Sequence, residues 1–197
     1  MKTKTCSWSC SDTLLSVYHD KEWGVPVHDD RQHFEFICLE VMQCGLSWLL
    51  MLKKRQALKD AFSQFDVDKI CQYTEKDIER IMNTPEIIHS ERKIKAIIED
   101  AKIFKKIQND FSSFDQWIWS FTDGKTRVYR KHDLHAQARN ELSDIISKEL
   151  KRYGMKYLGS ITVYAHLQAV GIINDHDRDC WLYEYVNHNF PIEIIEE

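Results

Sequence analysis

The chain has 197 residues, 43% of them hydrophobic, and a formal net charge of -4, which predicts one sizeable core in a single domain over residues 1–197. The mild acidity excludes a protein that coats nucleic acid over its whole surface but leaves room for a local basic patch. Six cysteines are too few for a disulfide scaffold, and the sequence has neither a secretory signal nor an apolar run of about 20 residues, so we expect a cytoplasmic protein that does not enter a membrane.

The low glycine and proline content and the scarcity of alternating apolar runs predict a mostly helical protein. Residues 1–30 read as irregular or short-helical. The first regular helix follows, with Gly45 as its expected end and Ser47 as the expected N-cap of the next helix. Thr74 and Asp77 have the spacing of a capping box at the start of a further helix.

The second half of the chain continues this helical pattern. Segment 117–121, WIWSF, is too apolar to be a loop, whereas residues 122–140 are polar and weakly patterned and are predicted to form a long surface connection. A helix resumes with Leu142 and is capped at Ser143 or just before it. The cleanest amphipathic helix of the chain lies earlier and carries its apolar residues on one face: Ile94, Ile97, Ile98, Ala101 and Phe104.

The helix that begins near Phe34 carries a carboxylate among apolar residues. One face has the usual core spacing, and a second stripe, on which Glu40 and Gln43 stand, is apolar as well. A buried carboxylate costs stability unless something pairs with it. Two interpretations follow: Glu40 is a salt-bridged or capping residue of a core helix, which is the commoner case for an isolated glutamate, or it is a functional group.

Residues 151–162, KRYGMKYLGSIT, connect two predicted helices through a glycine-containing turn. Gly154 and Gly159 allow a tight turn and a close approach of the backbone to a partner. The second helix is expected to begin near Ser160, and its free N–H groups suit a phosphate, with Lys156 adding charge beside them. A plain helix-turn-helix connection with a glycine C-cap is the simpler interpretation.

A possible metal site lies in NDHDRDC, residues 174–180, where His176 and Cys180 have a workable spacing for a tetrahedral metal ion. Two ligands do not make a site, and a chance pair of surface residues is an equally simple explanation. A zinc ion that joined the two chain ends would anchor them where packing cannot. The spacing leaves six candidates open for the remaining ligands: Cys6, Cys10, His19, His28, Cys38 and Cys44.

Several motifs together resemble the 3-methyladenine DNA glycosylase I family. They occur in the family's order and run through most of the chain: CSW at 6–8, YHDKEWGVP at 18–26, ICLE at 37–40, QCGLSW at 43–48, LKKR at 52–55, WSF at 119–121 and GIINDH at 171–176. The resemblance implies an all-α, helix-hairpin-helix DNA glycosylase fold with one structural zinc ion joining the N- and C-terminal segments. It implies four zinc ligands, with Cys10 left free: Cys6, His19, His176 and Cys180.

The resemblance also implies a base-excision repair hydrolase that acts as a monomer on double-stranded DNA containing alkylated bases and releases 3-methyladenine. Glu40 would select the flipped cationic base, and Gln43 would support its carboxylate. The residues implied to form the rest of the base pocket are Tyr18, Trp48, Trp8 and Trp23, with Gln43. Those implied to bind DNA are Gly154, Lys156, Gly159 and Ser160. The alternative function is a module that binds a modified base in the same pocket without hydrolysis.

One segment departs from the family pattern. Where the family reads close to GIIRxRxKI, this chain has EIIHSERKI at 86–94, with Glu86 in place of a glycine and with His89 and Glu91 in place of arginines. Acidic side chains near a DNA-facing surface repel phosphate. We expect this change to weaken DNA binding rather than alter the pocket, with three nearby cations available to compensate: Arg92, Lys93 and Lys95. After the hairpin, the family's usual pair of threonines is Ser160 and Ile161.

Overall fold

The computed structural model describes residues 4–130 and 137–196 and is mostly helical. Short 3-10 helices cover Ser7–Ser11, Ser63–Phe65 and Ser120–Thr122. The α-helices of the described residues are α1 (Thr13–Lys21), α2 (Asp30–Gln43), α3 (Trp48–Ala61), α4 (Val67–Ile70), α5 (Glu75–Met82), α6 (Glu91–Phe111), α7 (Phe114–Trp119), α8 (Glu141–Tyr153), α9 (Ser160–Ala169) and α10 (Trp181–Asn189). Within these residues, no helix is both long and apolar enough to cross a membrane.

Helix α2 lies at the centre of the molecule. Its N-cap, Asp29, accepts a hydrogen bond from the N–H of Gln32 at 2.8 Å, and residues 33–42 are buried without interruption. This burial confirms that the helix is apolar on both sides. It packs against α3, α6, α7 and α9. Some of its side chains therefore point into the core, and others point towards the space between α1, α3 and α9.

The predicted helix ends are largely confirmed. Gly45 follows α2 with φ +84°, and the hydroxyl of Ser47 accepts a hydrogen bond from the N–H of Leu50 at the start of α3. The capping box of Thr74 and Asp77 is present at α5. The apolar face predicted for the long amphipathic helix is buried in α6. Helix α8 is capped just before Ser143, by Asn140.

The all-α prediction is incomplete, because the chain also forms two short strands. Strand β1 (Thr126–Tyr129) pairs in parallel with β2 (Ile192–Ile195), with Thr126 opposite Ile192. Strand β1 falls inside the predicted surface connection of residues 122–140, of which residues 131–136 lie outside the described part of the chain. Strands of four residues are too short for their alternation to stand out in the sequence, and their partner is distant along the chain.

The connection between α8 and α9 is a hairpin of residues 154–159. Gly154 caps α8 with φ +105°, as expected. Gly159 has φ -72°, which any residue adopts, so the prediction that both glycines serve the turn is wrong for the second. The left-handed position inside the hairpin is taken instead by Tyr157, with φ +61°.

Glu86 also adopts a left-handed backbone conformation, with φ +66°, at the position where the related family has glycine. Glycine adopts this conformation without the side-chain clash that an L residue meets. We therefore expect Glu86→Gly to raise the free energy of unfolding by about 0.5–1 kcal/mol, measured by urea denaturation. Lys54 donates to the backbone oxygen of Glu86 at 2.6 Å, and glycine keeps that acceptor.

A matched change inside a helix should have the opposite effect. Glu79 is exposed in the middle of α5, where Glu79→Gly should lower the free energy of unfolding by about 0.5–1 kcal/mol. Equal destabilisation by both substitutions would contradict the strain assigned to Glu86.

Candidate active site and metal-binding cluster

A cavity of about 230 Å³ opens between the N-terminal segment and helices α1, α2, α3 and α9. All six residues that the sequence assigns to one pocket line it: Trp8, Tyr18, Trp23, Glu40, Gln43 and Trp48. Four further lining residues were not anticipated: Leu15, Ala165, Gln168 and Ala169. The last three lie on one face of α9, at the spacing of a helix. That spacing can be read from the sequence and predicts a shared helix face, but it does not show that this face borders the cavity.

Glu40 is the buried carboxylate of this cavity. Its side chain is 3% exposed, and no ion pair or side-chain hydrogen bond to it is found among residues 4–130 and 137–196. The salt-bridged glutamate of α2 is instead Glu35, which lies 2.6 Å from Arg55 and 3.0 Å from Lys59. Burial raises the pKa of Glu40 to about 8. The structural interpretation of Glu40 as a paired core residue is therefore not supported.

Aromatic rings form the walls of the cavity. The rings of Tyr18 and Trp48 lie 5.5 Å apart at 48°, and those of Trp8 and Trp23 lie 5.0 Å apart at 76°. The Tyr18 hydroxyl and the Trp48 indole nitrogen are buried and have no hydrogen-bond partner within the part of the chain that the structure describes. Burial raises the pKa of Tyr18 well above its usual value, so this hydroxyl stays protonated and can donate. A planar, polar and cationic ring matches these walls and these unused groups.

Gln43 lines the cavity, but its amide nitrogen is already engaged. It donates to the backbone oxygen of Leu46 at 2.7 Å, which stabilises the turn after α2. Gln43 was predicted to support the Glu40 carboxylate, but its amide nitrogen contacts the backbone of Leu46 instead. On the opposite wall, Gln168 donates in a similar way to the carboxylate of Asp175.

A cluster of two thiols and two imidazoles lies beside the cavity. The ligand atoms of Cys6, His19, His176 and Cys180 are all within 4.8 Å of one another, and all four residues are buried. The structure thus selects, from the six candidates left open by spacing, the two that the resemblance implies. Cys10 is exposed and is not part of the group. The cluster brings Cys6 and His19, near the N-terminus, next to His176 and Cys180 in the segment before α10.

The spacing of the four ligand atoms suits a tetrahedral ion. The Sγ of Cys6 lies 3.5 Å from Nδ1 of His176, and the Sγ of Cys180 lies 3.5 Å from Nε2 of His19 and 3.8 Å from Nδ1 of His176. A tetrahedron with metal–sulfur bonds of about 2.3 Å and metal–nitrogen bonds of about 2.0 Å separates its ligands by about 3.3–3.8 Å. The three distances fall in this range, so the arrangement suits a tetrahedral metal ion.

Neighbouring groups orient these ligands. Asp20 contacts Nδ1 of His19 at 2.8 Å, which turns the Nε2 of that ring towards the sulfurs. The backbone N–H of Asp177 donates to the Sγ of Cys6 at 3.2 Å, as suits a thiolate. Gly24 allows His176 to approach, because a Cβ atom at Gly24 would lie 2.4 Å from the Nε2 of His176.

The metal-binding cluster and the cavity share a wall. The ring of Trp8 lies 5.5 Å from that of His19, and the ring of Trp23 lies 4.7 Å from that of His176. Both tryptophans line the cavity from the other side. An ion that holds the histidines in place consequently also holds this part of the cavity wall.

The hairpin before α9 presents unused backbone donors. No side chain caps the N-terminus of α9, so the N–H groups that begin at Ser160 are available to an anion. Lys156 is exposed beside them, and a Cβ atom at Gly159 would meet nothing within 4 Å, so a partner can approach there. Ile161, which replaces a hydroxyl of the family pattern, is 63% exposed at the same end.

The three cations near the acidic segment are all engaged within the protein. Lys95 lies 2.8 Å from Glu91, and Arg92 donates to the hydroxyl of Tyr157 at 2.6 Å. Lys93 donates to two backbone oxygens at the end of α2, at 2.7 and 2.8 Å. The expectation that all three compensate for the missing arginines is therefore wrong for Lys93, whose ammonium group is used to cap a helix.

Comparison with known proteins gives consistent matches. The family model described as methyladenine glycosylase matches residues 8–183. DNA-3-methyladenine glycosylase from Haemophilus influenzae is 39% identical over 90% of this chain and 97% of its own, and DNA-3-methyladenine glycosylase 1 from Escherichia coli is 38% identical over 90% and 96%. Among solved structures, 3-methyladenine DNA glycosylase I from Staphylococcus aureus matches with a TM-score of 0.85 at 35% identity, covering 91% of this chain and 96% of its own. A 3-methyladenine DNA glycosylase I in complex with 3-methyladenine matches with a TM-score of 0.84 at 35% identity, covering 90% and 96%.

Proposed function

The chain belongs to the methyladenine glycosylase family, and from that premise we propose that it is a DNA repair glycosylase that hydrolyses the N-glycosidic bond of 3-methyladenine in alkylated DNA. The observation that carries the proposal is the unpaired, buried Glu40 in an aromatic cavity. Release of 3-methyladenine from methylated DNA is the experiment that tests it. Binding of the base without release would instead indicate the non-hydrolytic module.

The cavity explains how such an enzyme selects its substrate. A base stacked inside a duplex cannot reach Glu40, which is buried in the cavity, so the damaged nucleotide has to leave the stack and enter it. Methylation at N3 makes the adenine ring cationic, and a cationic ring stacks more strongly on Trp48 and Tyr18 than a neutral ring does. Neutral adenine gains less from the same walls and is left in the duplex.

Glu40 adds the electrostatic part of this selection. Its carboxylate has no cation beside it among the described residues, and burial raises its pKa to about 8. A positively charged base supplies the missing partner, favours the ionised carboxylate and donates a hydrogen bond to it from the amino group. Tyr18 can donate its hydroxyl to an acceptor of the same ring. Glu40 therefore adds a second preference for positive charge to the one that stacking on the aromatic walls already provides.

The hydrolysis itself needs little acid catalysis. When the bond between the sugar carbon and the base nitrogen breaks, its electron pair moves into the ring and neutralises the positive charge that methylation created. Water then attacks the sugar carbon and loses a proton. The enzyme contributes by holding the base and the sugar in this geometry and by surrounding the departing ring with groups that are already in place.

The four-residue cluster is proposed to hold one zinc ion per chain. Two thiolates and two imidazoles are the donor set that zinc prefers, and four protein ligands leave no open position for a reacting water. The ion is accordingly structural: Cys6 and His19 bring the N-terminal segment to His176 and Cys180. Elemental analysis of protein purified without chelator should find about one zinc per chain.

DNA binding is proposed to centre on the hairpin of residues 154–159 and the start of α9. Lys156 places a positive charge near a phosphate, and Gly159 and Ser160 present the backbone to it. Gly154 turns the chain into this position. Beside the hairpin lies a groove of about 520 Å³ that is lined by Arg92, Lys95, Ala96, Lys156 and Tyr157.

Glu91 weakens this surface by neutralising Lys95, and its replacement provides a test. We expect Glu91→Gln to increase DNA affinity about 3- to 10-fold at low salt and to steepen the dependence of log K on log salt by up to about one unit, because Lys95 then keeps only its longer contact with the exposed Glu75, at 3.5 Å, and can pair with a phosphate. Fluorescence anisotropy with a labelled duplex at several salt concentrations measures both. Glu184→Gln on α10 makes the same charge change on a helix that does not line the groove and should have little effect. Equal effects of the two substitutions would contradict the local pairing.

A further inference from the structure

Two buried side chains hold the hairpin of residues 154–159 from the protein side. Asp100, on α6, accepts a hydrogen bond from the backbone N–H of Lys156 at 2.8 Å. Ser147, on α8, donates its hydroxyl to the backbone oxygen of Leu158, also at 2.8 Å. Asp100 is 0% exposed and Ser147 is 1% exposed. The two contacts flank a single residue, Tyr157.

Tyr157 requires such support. Its φ of +61° lies in the left-handed region, which residues with a side chain seldom adopt. A strained residue of this kind keeps its conformation when the surrounding contacts impose it. The contacts on either side of Tyr157 supply that constraint, and the hydrogen bond from Arg92 to its hydroxyl supports the same residue from the groove side.

From these contacts we propose that Asp100 is a positioning residue for DNA binding, which fixes the hairpin so that Lys156 and the free N–H groups at the start of α9 face a phosphate. The inference rests on the proposed function and adds a residue that lines neither the cavity nor the groove beside the hairpin. Asp100 does not touch the DNA. It acts through the backbone of Lys156.

The property of Asp100 that we expect to position the hairpin is its hydrogen-bond acceptor, not its charge. Its second oxygen, Oδ2, is buried and has no hydrogen-bond partner among residues 4–130 and 137–196, and burial raises the pKa of its carboxyl to about 7. Burial therefore outweighs the stabilisation of the charge by Lys156, whereas the oxygen that accepts from the backbone of Lys156 is used. Asparagine supplies the same acceptor without a charge, and leucine removes the acceptor while keeping the same branched arrangement of side-chain heavy atoms.

The test compares Asp100→Asn with Asp100→Leu. The probes are a duplex that carries a tetrahydrofuran abasic-site analogue, with binding followed by anisotropy, and free 3-methyladenine, with binding followed by calorimetry. We expect Asp100→Leu to weaken duplex binding at least about 10-fold while the dissociation constant of free 3-methyladenine changes less than about 2-fold. Asp100→Asn should match the unmodified chain on both probes. Adding Tyr157→Gly to Asp100→Leu should recover part of the duplex affinity, because glycine adopts the left-handed conformation without support.

Three outcomes would overturn the inference: duplex binding unchanged in Asp100→Leu, equal losses on both probes, or the same loss in Asp100→Asn. If Asp100→Leu does not fold, Ser147→Ala decides in its place, because it removes the contact on the other side of Tyr157 and should weaken duplex binding alone. An unmodified chain that binds no duplex would overturn the proposed function and the inference together. Duplex binding that persists in these variants would overturn the inference alone.

Discussion

Replacing Glu40 by glutamine is expected to lower the rate of 3-methyladenine release from alkylated DNA by about 100-fold or more. Glutamine keeps the size of the side chain and can still accept a hydrogen bond, but it cannot balance the positive charge of the base. Because Glu40 has no cation among the described residues, its charge is available to the substrate, and its removal is not compensated. The fold does not depend on a salt bridge at this position.

Single-turnover release at saturating enzyme measures this effect without interference from product release. Glu184→Gln, on the surface of α10, serves as the control with the same chemical change and should leave the rate within about 2-fold of the unmodified chain. A Glu40→Gln rate within 3-fold of the unmodified chain would contradict the role of the Glu40 charge and leave stacking on the aromatic walls as the basis of selection.

The same substitution should stabilise the protein, with a defined dependence on pH. The pKa of Glu40 is about 8 in the folded chain and has an ordinary value of 4.5. Between these two values the folded chain binds a proton that the unfolded chain has lost, so the free energy of unfolding falls as pH rises through this window. Glu40→Gln lacks this effect. Urea denaturation should find it more stable than the unmodified chain by a few kcal/mol at pH 8, with the difference disappearing towards pH 4.5. A pH-independent difference would contradict the burial of an unpaired carboxyl group.

Loss of the metal is the second large effect that we expect. Cys180→Ser, or removal of the ion with a chelator, should lower the free energy of unfolding by about 4 kcal/mol or more, because an ion present at about 1,000 times its dissociation constant contributes that much. The N-terminal segment should detach before the core, since Cys6 and His19 tie it to the C-terminal segment. Proteolysis of the termini and denaturation with and without zinc measure the two effects.

Base binding should weaken with the metal, because the histidine ligands contact Trp8 and Trp23 on the cavity wall. Calorimetry with free 3-methyladenine should show a loss of at least about 10-fold in Cys180→Ser. Cys10→Ser removes an exposed thiol from the same terminal region and should change neither stability nor base binding. Unchanged stability in the metal-free protein would show that the cluster is not a structural metal site.

Much of the candidate site could be predicted from the sequence, because its residues lie in short motifs that can be recognised along the chain. Periodicity alone placed Glu40 on a helix with two apolar sides, and the resemblance joined it to Tyr18 and Trp48. The choice between a paired and a functional glutamate depended on α3, whose Arg55 pairs with Glu35 and not with Glu40. That choice requires the relative placement of two helices, which residue spacing within one helix does not determine.

Other features could not be predicted because they arise from contacts between distant parts of the chain. Strands β1 and β2 pair residues that are more than sixty positions apart. Tyr157 has a left-handed conformation between two residues that contact Asp100 and Ser147 on separate helices, whereas the sequence pattern assigned the tight turn to Gly154 and Gly159. The contribution of α9 to the cavity, through Gln168, likewise depends on how the helices pack.

Hydrolysis of the glycosidic bond of 3-methyladenine is measured by the release of free base from N-methylated duplex DNA. Chromatography of the supernatant should find 3-methyladenine accumulating in proportion to enzyme and time with the unmodified chain, and about 100-fold more slowly with Glu40→Gln. Heat-inactivated protein sets the background. No 3-methyladenine above that background, from a chain that is folded and binds the free base, would contradict the account.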